Sequence, residues 1–163
     1  MKKLLILLPI FTALLCFCTC SKETQPSANF EKPVENLCES LSRKDGATYL
    51  NCFVPAEKKA YLVSDSGAGT DGIIGLVRKN SKLDDDERVS CEITGKREIS
   101  DERLSNMQRA YKKKYSRNDT IEKAMLLNVN FSNDKGVDIR EITVVMIDES
   151  WYIYGDIIEG FKF

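Results

Sequence analysis

The sequence predicts an α+β fold, N-terminal helices packed on a curved antiparallel sheet, and three observations carry that expectation. From Pro33, the apolar positions Val34, Leu37, Cys38 and Leu41 fall at i, i+3, i+4 and i+7, a helical stripe with Pro at a permitted first-turn position. Near the other end Met125, Leu127, Val129 and Phe131 alternate, and a β-branched run from Ile139 to Ile147 follows across turn-forming residues. Between them Leu104, Met107, Tyr111 and Tyr115 recur at helical spacing. Helices, a strand, a helix and then an antiparallel meander is an α+β order, with the inner face of the sheet covered by the helices.

The first element is an export segment. Lys2 and Lys3 precede an apolar run that no charge interrupts from residue 4 to 20, and Ser21-Lys22-Glu23-Thr24-Gln25 ends it. The run is short for a spanning helix and contains Pro9, so a permanent transmembrane anchor is the second choice. Phe17-Cys18-Thr19-Cys20 resembles the lipobox of a bacterial lipoprotein signal, with small residues at −2 and −1 and the acylated Cys as the first mature residue. Phe17 stands where that pattern has Leu. Cys16 and Cys18 fit worse, because Leu15 and Phe17 would occupy their −1 sites. An ordinary secretory signal would need an A-x-A-like site of small residues, and none is present. The resemblance implies cleavage after residue 19, lipid on Cys20, and a membrane held through more than one acyl chain. Residues 20–32, polar apart from Phe30, read as a flexible tether, and 33–163 as one domain.

Within the domain, Lys44-Asp45-Gly46 breaks the first helix. Tyr49-Leu50 and Cys52-Phe53-Val54 form a second apolar patch, and Pro55 opens a helix over Ala56 to Val63. Ser64 through Gly72 reads as a Gly-rich loop, followed by a short apolar patch at Ile73, Ile74 and Val77 that is helical or strand-like. Asp84-Asp85-Asp86-Glu87 is a solvated acidic turn. Val89, Cys91 and Ile93 then share one face of a strand ending at Gly95. Ser100 caps the next helix, with Asp101 and Glu102 in its first turn. In the closing meander Ser132 to Gly136 makes a hairpin loop, and Asp148-Glu149-Ser150 turns into Trp151-Tyr152-Ile153-Tyr154.

The element order and the C-terminal hairpin Val144-Val145-Met146-Ile147-Asp148-Glu149-Ser150-Trp151-Tyr152-Ile153 resemble the NTF2-like (cystatin-like) domains of small bacterial lipoproteins of the DUF4878/DUF5105 type. That group carries V-x-K-I-D-G-K-W-Y-I; here Met146 replaces Lys, and Glu149-Ser150 replaces Gly-Lys. The resemblance spans residues 33–163 in element order and is sharp over those ten. It implies a curled sheet wrapped on helices, a cone with one open end, and leaves the activity open, since this fold hosts enzymes, binders and scaffolds.

Composition narrows the chemistry. Lys and Arg total 24 against 25 Asp and Glu, and losing Lys2 and Lys3 makes the mature chain more acidic, so no nucleic-acid partner is expected. Lys112-Lys113-Lys114, with Arg109 and Arg117, reads as a solvated helix face. With no His, imidazole is absent as base, ligand or switch. Cys38, Cys52 and Cys91 make an odd set in an exported chain: the expectation is a Cys38 to Cys52 bridge, worth roughly 3 kcal/mol by the chain-entropy model, with Cys91 a free thiol. In a reducing compartment all three would be buried thiols. No C-x-x-C spacing exists among them, so neither zinc nor a redox motif of that kind is expected.

Gly67-Ala68-Gly69-Thr70-Asp71-Gly72 matches G-x-G-x-x-G, but the dinucleotide fingerprint needs a buried strand before it and a parallel βαβ unit around it. The acidic run lacks the alternate spacing of a calcium loop, and Ser64 and Ser66 do not make a nucleophile elbow. An NTF2-like isomerase or dehydratase would pair a buried carboxylate with Tyr or Trp donors, drawn from Tyr49, Tyr61, Tyr111, Trp151 and Asp156; Tyr49, Tyr111 and Trp151 are equally pocket or core aromatics. The expectation is an exported, lipid-anchored cell-envelope protein with no cofactor, no metal and no catalytic residue. It would bind a small apolar ligand, a peptide or an envelope protein, with an enzyme or a structural or inhibitory module as the alternatives.

Overall fold

The computed structural model describes residues 29–64, 69–157 and 160–163. The export segment, Cys20 and the tether up to residue 28 lie outside the described residues, as do Gly67 and Ala68 of the Gly-rich stretch. The elements are α1 (Lys32–Arg43), α2 (Gly46–Asn51), α3 (Pro55–Val63), α4 (Gly69–Asn80), β1 (Ser90–Glu98), α5 (Asp101–Tyr115), β2 (Lys123–Ser132), β3 (Val137–Ile147) and β4 (Ser150–Ile153). The four strands form one open antiparallel sheet in the order β1-β2-β3-β4.

The stripe of α1 buries Val34, Leu37, Cys38 and Leu41. Each large side chain so enclosed contributes roughly 1.5–3 kcal/mol of transfer free energy. Phe30, expected in the tether, instead sits in the turn before α1 with its ring edge-on to Trp151, centroids 5.9 Å apart. The patch at residues 46–51 is a short helix. Asp45 caps it, one carboxylate oxygen accepting from the Thr48 N–H at 3.0 Å and the other from the Thr48 hydroxyl at 2.6 Å. A Cβ on Gly46 would lie 1.7 Å from the Thr70 carbonyl oxygen, so the absent side chain lets α4 close on α2. Beyond α2 the chain straightens, and Phe53 makes a parallel bridge to Ile153 that covers the outer edge of β4.

Three expectations about elements are corrected. Gly69 to Gly72 is not loop but the first turn of α4, because Ile73, Ile74 and Val77 bury one helical face. β1 continues past Gly95 to Glu98 through a register shift between Ile93 and Gly95. The last hairpin turn is only Asp148-Glu149, both left-handed at φ 49° and 60°, with Ser150 already in β4. Ser100 does hold the N-cap position of α5, but its side chain makes no capping hydrogen bond.

The sheet is covered on both faces, not on the inner one alone. Cys91, Ile93, Met125, Leu127, Val129, Phe131, Ile142, Val144, Trp151 and Ile153 face α1, α2 and α4. Ala124, Leu126, Val145 and Ile147 point the other way, beneath Tyr111 of α5 and the start of α3. α5 spans only that end of the sheet. Beyond it the second face is open, with Glu92, Asn128 and Glu141 exposed and Asn130 half-buried.

Candidate functional site

The structure separates the three aromatics that the sequence offered for one pocket. Tyr49 of α2 lies in the core of the first face, its hydroxyl donating to the Ile157 carbonyl at 2.7 Å and its ring 5.3 Å from that of Phe53. Trp151 is in the same core against Phe30. Tyr111 is on the opposite face, fully buried, stacked at a tilt on Tyr115 and donating to Asp119 at 3.0 Å. Burial and that acceptor push the Tyr111 phenol well above its ordinary range. Tyr115, which bonds Glu57, is pushed up to about 12, chiefly by burial. Both rings therefore stay protonated and serve packing. Tyr61 is buried with no hydrogen-bond partner for its hydroxyl among the described residues.

A recess of about 280 Å³ lies between α2 and the strand β3, lined by Tyr49, Phe53, Thr143, Ile153, Tyr154 and Asp156 among others. Of the acidic residues along its rim, Asp156 is exposed and Glu141 turns its side chain to the open second face. Acid–base work beside an apolar substrate needs an enclosed carboxylate. Arg140 at its margin is already engaged: it donates to Asp138 and Gly160, pairs with Asp138 at 2.7 Å, and lies 4.7 Å above the Phe161 ring. Its work is to hold the C-terminal segment against the sheet. A broader polar groove of about 780 Å³ runs between the end of α1 and the β2–β3 hairpin, with Arg43, Arg88, Ser90, Asn133 and Asp134 on its walls.

The acidic run disperses. Asp84 and Glu87 meet Lys135 at 2.8 and 2.9 Å, and Asp85 meets Lys44 at 3.0 Å. The Lys135 hydrogen bond and the Asp84 N–H hold Glu87 below the usual carboxylate range. This cluster ties the hairpin loop to the 81–88 segment. The buried Arg78 organises the same segment by donating to the carbonyls of Leu41, Asp84 and Glu87. In the basic cluster, Lys114 pairs with Glu57 at 3.0 Å and Arg117 with Asp119 at 2.7 Å.

No Cys38 to Cys52 bridge is present: Cys38, Cys52 and Cys91 are all thiols. Cys52 caps α2 and donates to Thr48 one turn back, at 3.2 Å, so its side chain is directed into its own helix. Cys38 faces β1 instead, with Cys91 as its neighbour. Cys38 and Cys52 lie in the same core, with the Cys52 thiol bonded within its own helix and the Cys38 thiol bonded to Val89.

The feature that residue-by-residue inspection missed is an inversion in the first half of β3. Val137 and Ile139 point to the open second face, 55% and 73% exposed, whereas Asp138 and Arg140 point inward with side chains only 11% and 15% exposed. Two-residue parity would have found it, since Ile142 and Val144 fix which parity faces the core. Among the described residues, no three His, Cys, Asp or Glu side chains converge as a metal site, and no helix is long and apolar enough to cross a membrane. No family model matches the chain, and neither a curated protein nor a solved structure resembles it.

Proposed function

We propose that this chain is a lipid-anchored, non-catalytic module of a bacterial cell envelope, whose NTF2-like (cystatin-like) domain binds a protein or peptide partner on the open half of its sheet. The observation that carries the binding surface is the inverted segment of β3. Exposed Ile139 and Val137 stand beside Asn128, Asn130, Glu92 and Glu141 on a face that α5 leaves uncovered. Apolar side chains turned to solvent while a charge pair is turned inward break the local pattern, and such breaks concentrate at functional surfaces. A polar surround with an apolar centre has the anatomy of a protein-binding patch. The anchor rests on Lys2-Lys3, the uncharged run to residue 20, and Cys20 itself.

A small apolar ligand in the recess beside Tyr49 and Tyr154 is the second reading. At about 280 Å³ the recess is just below the range of pockets that enclose drug-sized ligands.

The test joins acyl labelling to affinity capture from solubilised envelope. Radiolabelled fatty acid enters the wild type and Cys18→Ala but not Cys20→Ala; labelling that persists in Cys20→Ala removes the anchor. A partner retained by the wild type and by Lys113→Glu is lost from the Ile139→Asp, Val137→Asp double variant, with the far-UV circular dichroism unchanged. Equal capture by all three forms removes the sheet surface from consideration.

A further inference from the structure

Cys38 and Cys91 meet where α1 crosses the edge strand β1. The Cys38 thiol donates to the carbonyl of Val89 at 3.1 Å, just ahead of β1 and two residues before Cys91. The Cys91 thiol points to the carbonyl of Val34 at 3.9 Å, one helical turn before Cys38. Each sulfur thus reaches the backbone beside the other cysteine, which brings the two side chains together at the crossing. Ser42 fixes the crossing, accepting from the Val89 N–H and donating to the Val89 carbonyl, both at 3.0 Å. Two cysteines facing each other across a fixed crossing are placed to close to the ~2.05 Å of a disulfide by side-chain rotation.

We propose that Cys38 and Cys91 are a dithiol–disulfide pair, oxidised by exchange with an external disulfide, that staples α1 to β1. Cys91 is the half-exposed member and Cys38 the buried one. Cys91, as thiolate, attacks a sulfur of the external disulfide, forming a mixed disulfide and expelling one thiolate. Cys38 then loses its proton and attacks the Cys91 sulfur of that mixed disulfide, expelling the second thiolate. Two electrons pass from the cysteine pair to the external disulfide, and the two protons end on the two thiols released. The order matches the electrostatics: the neighbouring Cys91 thiol, with burial behind it, raises Cys38 far above the ordinary thiol range, and the neighbouring Cys38 thiol lowers Cys91. The chemistry stands independently of the proposed lipid anchor and of the binding surface. Closing the staple encloses α2, α3 and α4 in a covalent loop and fixes α1 to the sheet.

The experiment oxidises the full chain, purified in detergent, with excess oxidised glutathione, alkylates the remaining thiols under native conditions, and maps non-reduced peptides by mass spectrometry. The expected result is a Cys38–Cys91 linked peptide that dithiothreitol abolishes, present in Cys52→Ser and absent in Cys91→Ser. The oxidised wild type should melt roughly 10 °C above the reduced form. A Cys38–Cys52 linked peptide overturns the proposal. So does recovery of Cys38 and Cys91 as separate thiols after oxidation, a readout on the wild type that needs no variant to fold.

Discussion

Asp45 carries two burdens in one side chain, ending the left-handed exit from α1 and supplying the cap of α2. Its carboxylate accepts from the hydroxyl and the backbone N–H of Thr48, and those bonds, the hydroxyl first, hold it below the ordinary carboxylate range. Asp45→Ala is therefore expected to cost about 1 kcal/mol at neutral pH. Because the folded state binds the proton more weakly than the unfolded state, this contribution is complete above the unfolded value near 4 and is lost as pH falls through the lower folded one. Urea titrations of wild type and variant should show a stability gap that narrows steadily below about pH 4. A gap indifferent to pH would assign the cap to the backbone alone. The break after α1 was legible in the sequence as Lys44-Asp45-Gly46, whereas the cap that Asp45 gives α2 was not. That Gly46 also admits Thr70 was not, since the approach depends on a residue 24 positions away.

Element by element, the strands were easier to read than what covers them. β2 begins apolar on both parities at Ala124, Met125, Leu126 and Leu127, then becomes one-sided as Asn128, Asn130 and Ser132 take the even positions. β3 runs the other way, alternating exposed and half-buried residues to Ile142 and continuously apolar from Val144 to Ile147. Continuous apolar runs mark strands buried on both faces, so the change of pattern traces the boundary of α5. A reading that counted only the odd positions of β2 could not see it. The β3–β4 hairpin also departs from what its turn favours. Asp148 and Glu149 both have positive φ, and neither has the freedom of glycine. Replacing Asp148-Glu149 with Asn-Gly should raise stability by about 1 kcal/mol, measured by thermal or denaturant unfolding. A loss of stability would mean that the side chains of Asp148 and Glu149 matter more than the turn geometry.

At the scale of the whole molecule, the sheet divides two cores that share β2, β3 and β4 but few other elements. The α+β class was legible because the hydrophobic period changes from 3.6 to 2 along the chain. The separation of Tyr49 and Trp151 from Tyr111 was not, because an aromatic on a helical stripe signals burial without naming the face it lies on. The same holds for Cys38, whose place on the stripe of α1 signals burial without showing that its thiol bonds to Val89. Phe30 shows where this arrangement meets the N-terminal segment: its ring closes the first core against Trp151, and Lys96 reaches over it at 5.5 Å. Trp151 is the only tryptophan of the chain and is 6% exposed. The protein thus carries its own optical probe beside the turn that leads into α1. Phe30→Ala should shift the emission to longer wavelength while leaving the far-UV circular dichroism in place, and an unchanged spectrum would show that the ring shields nothing. With that calibration, tryptophan fluorescence becomes a label-free way to follow whether the turn before α1 stays seated when the protein is loaded with a partner or pulled from its N-terminal side.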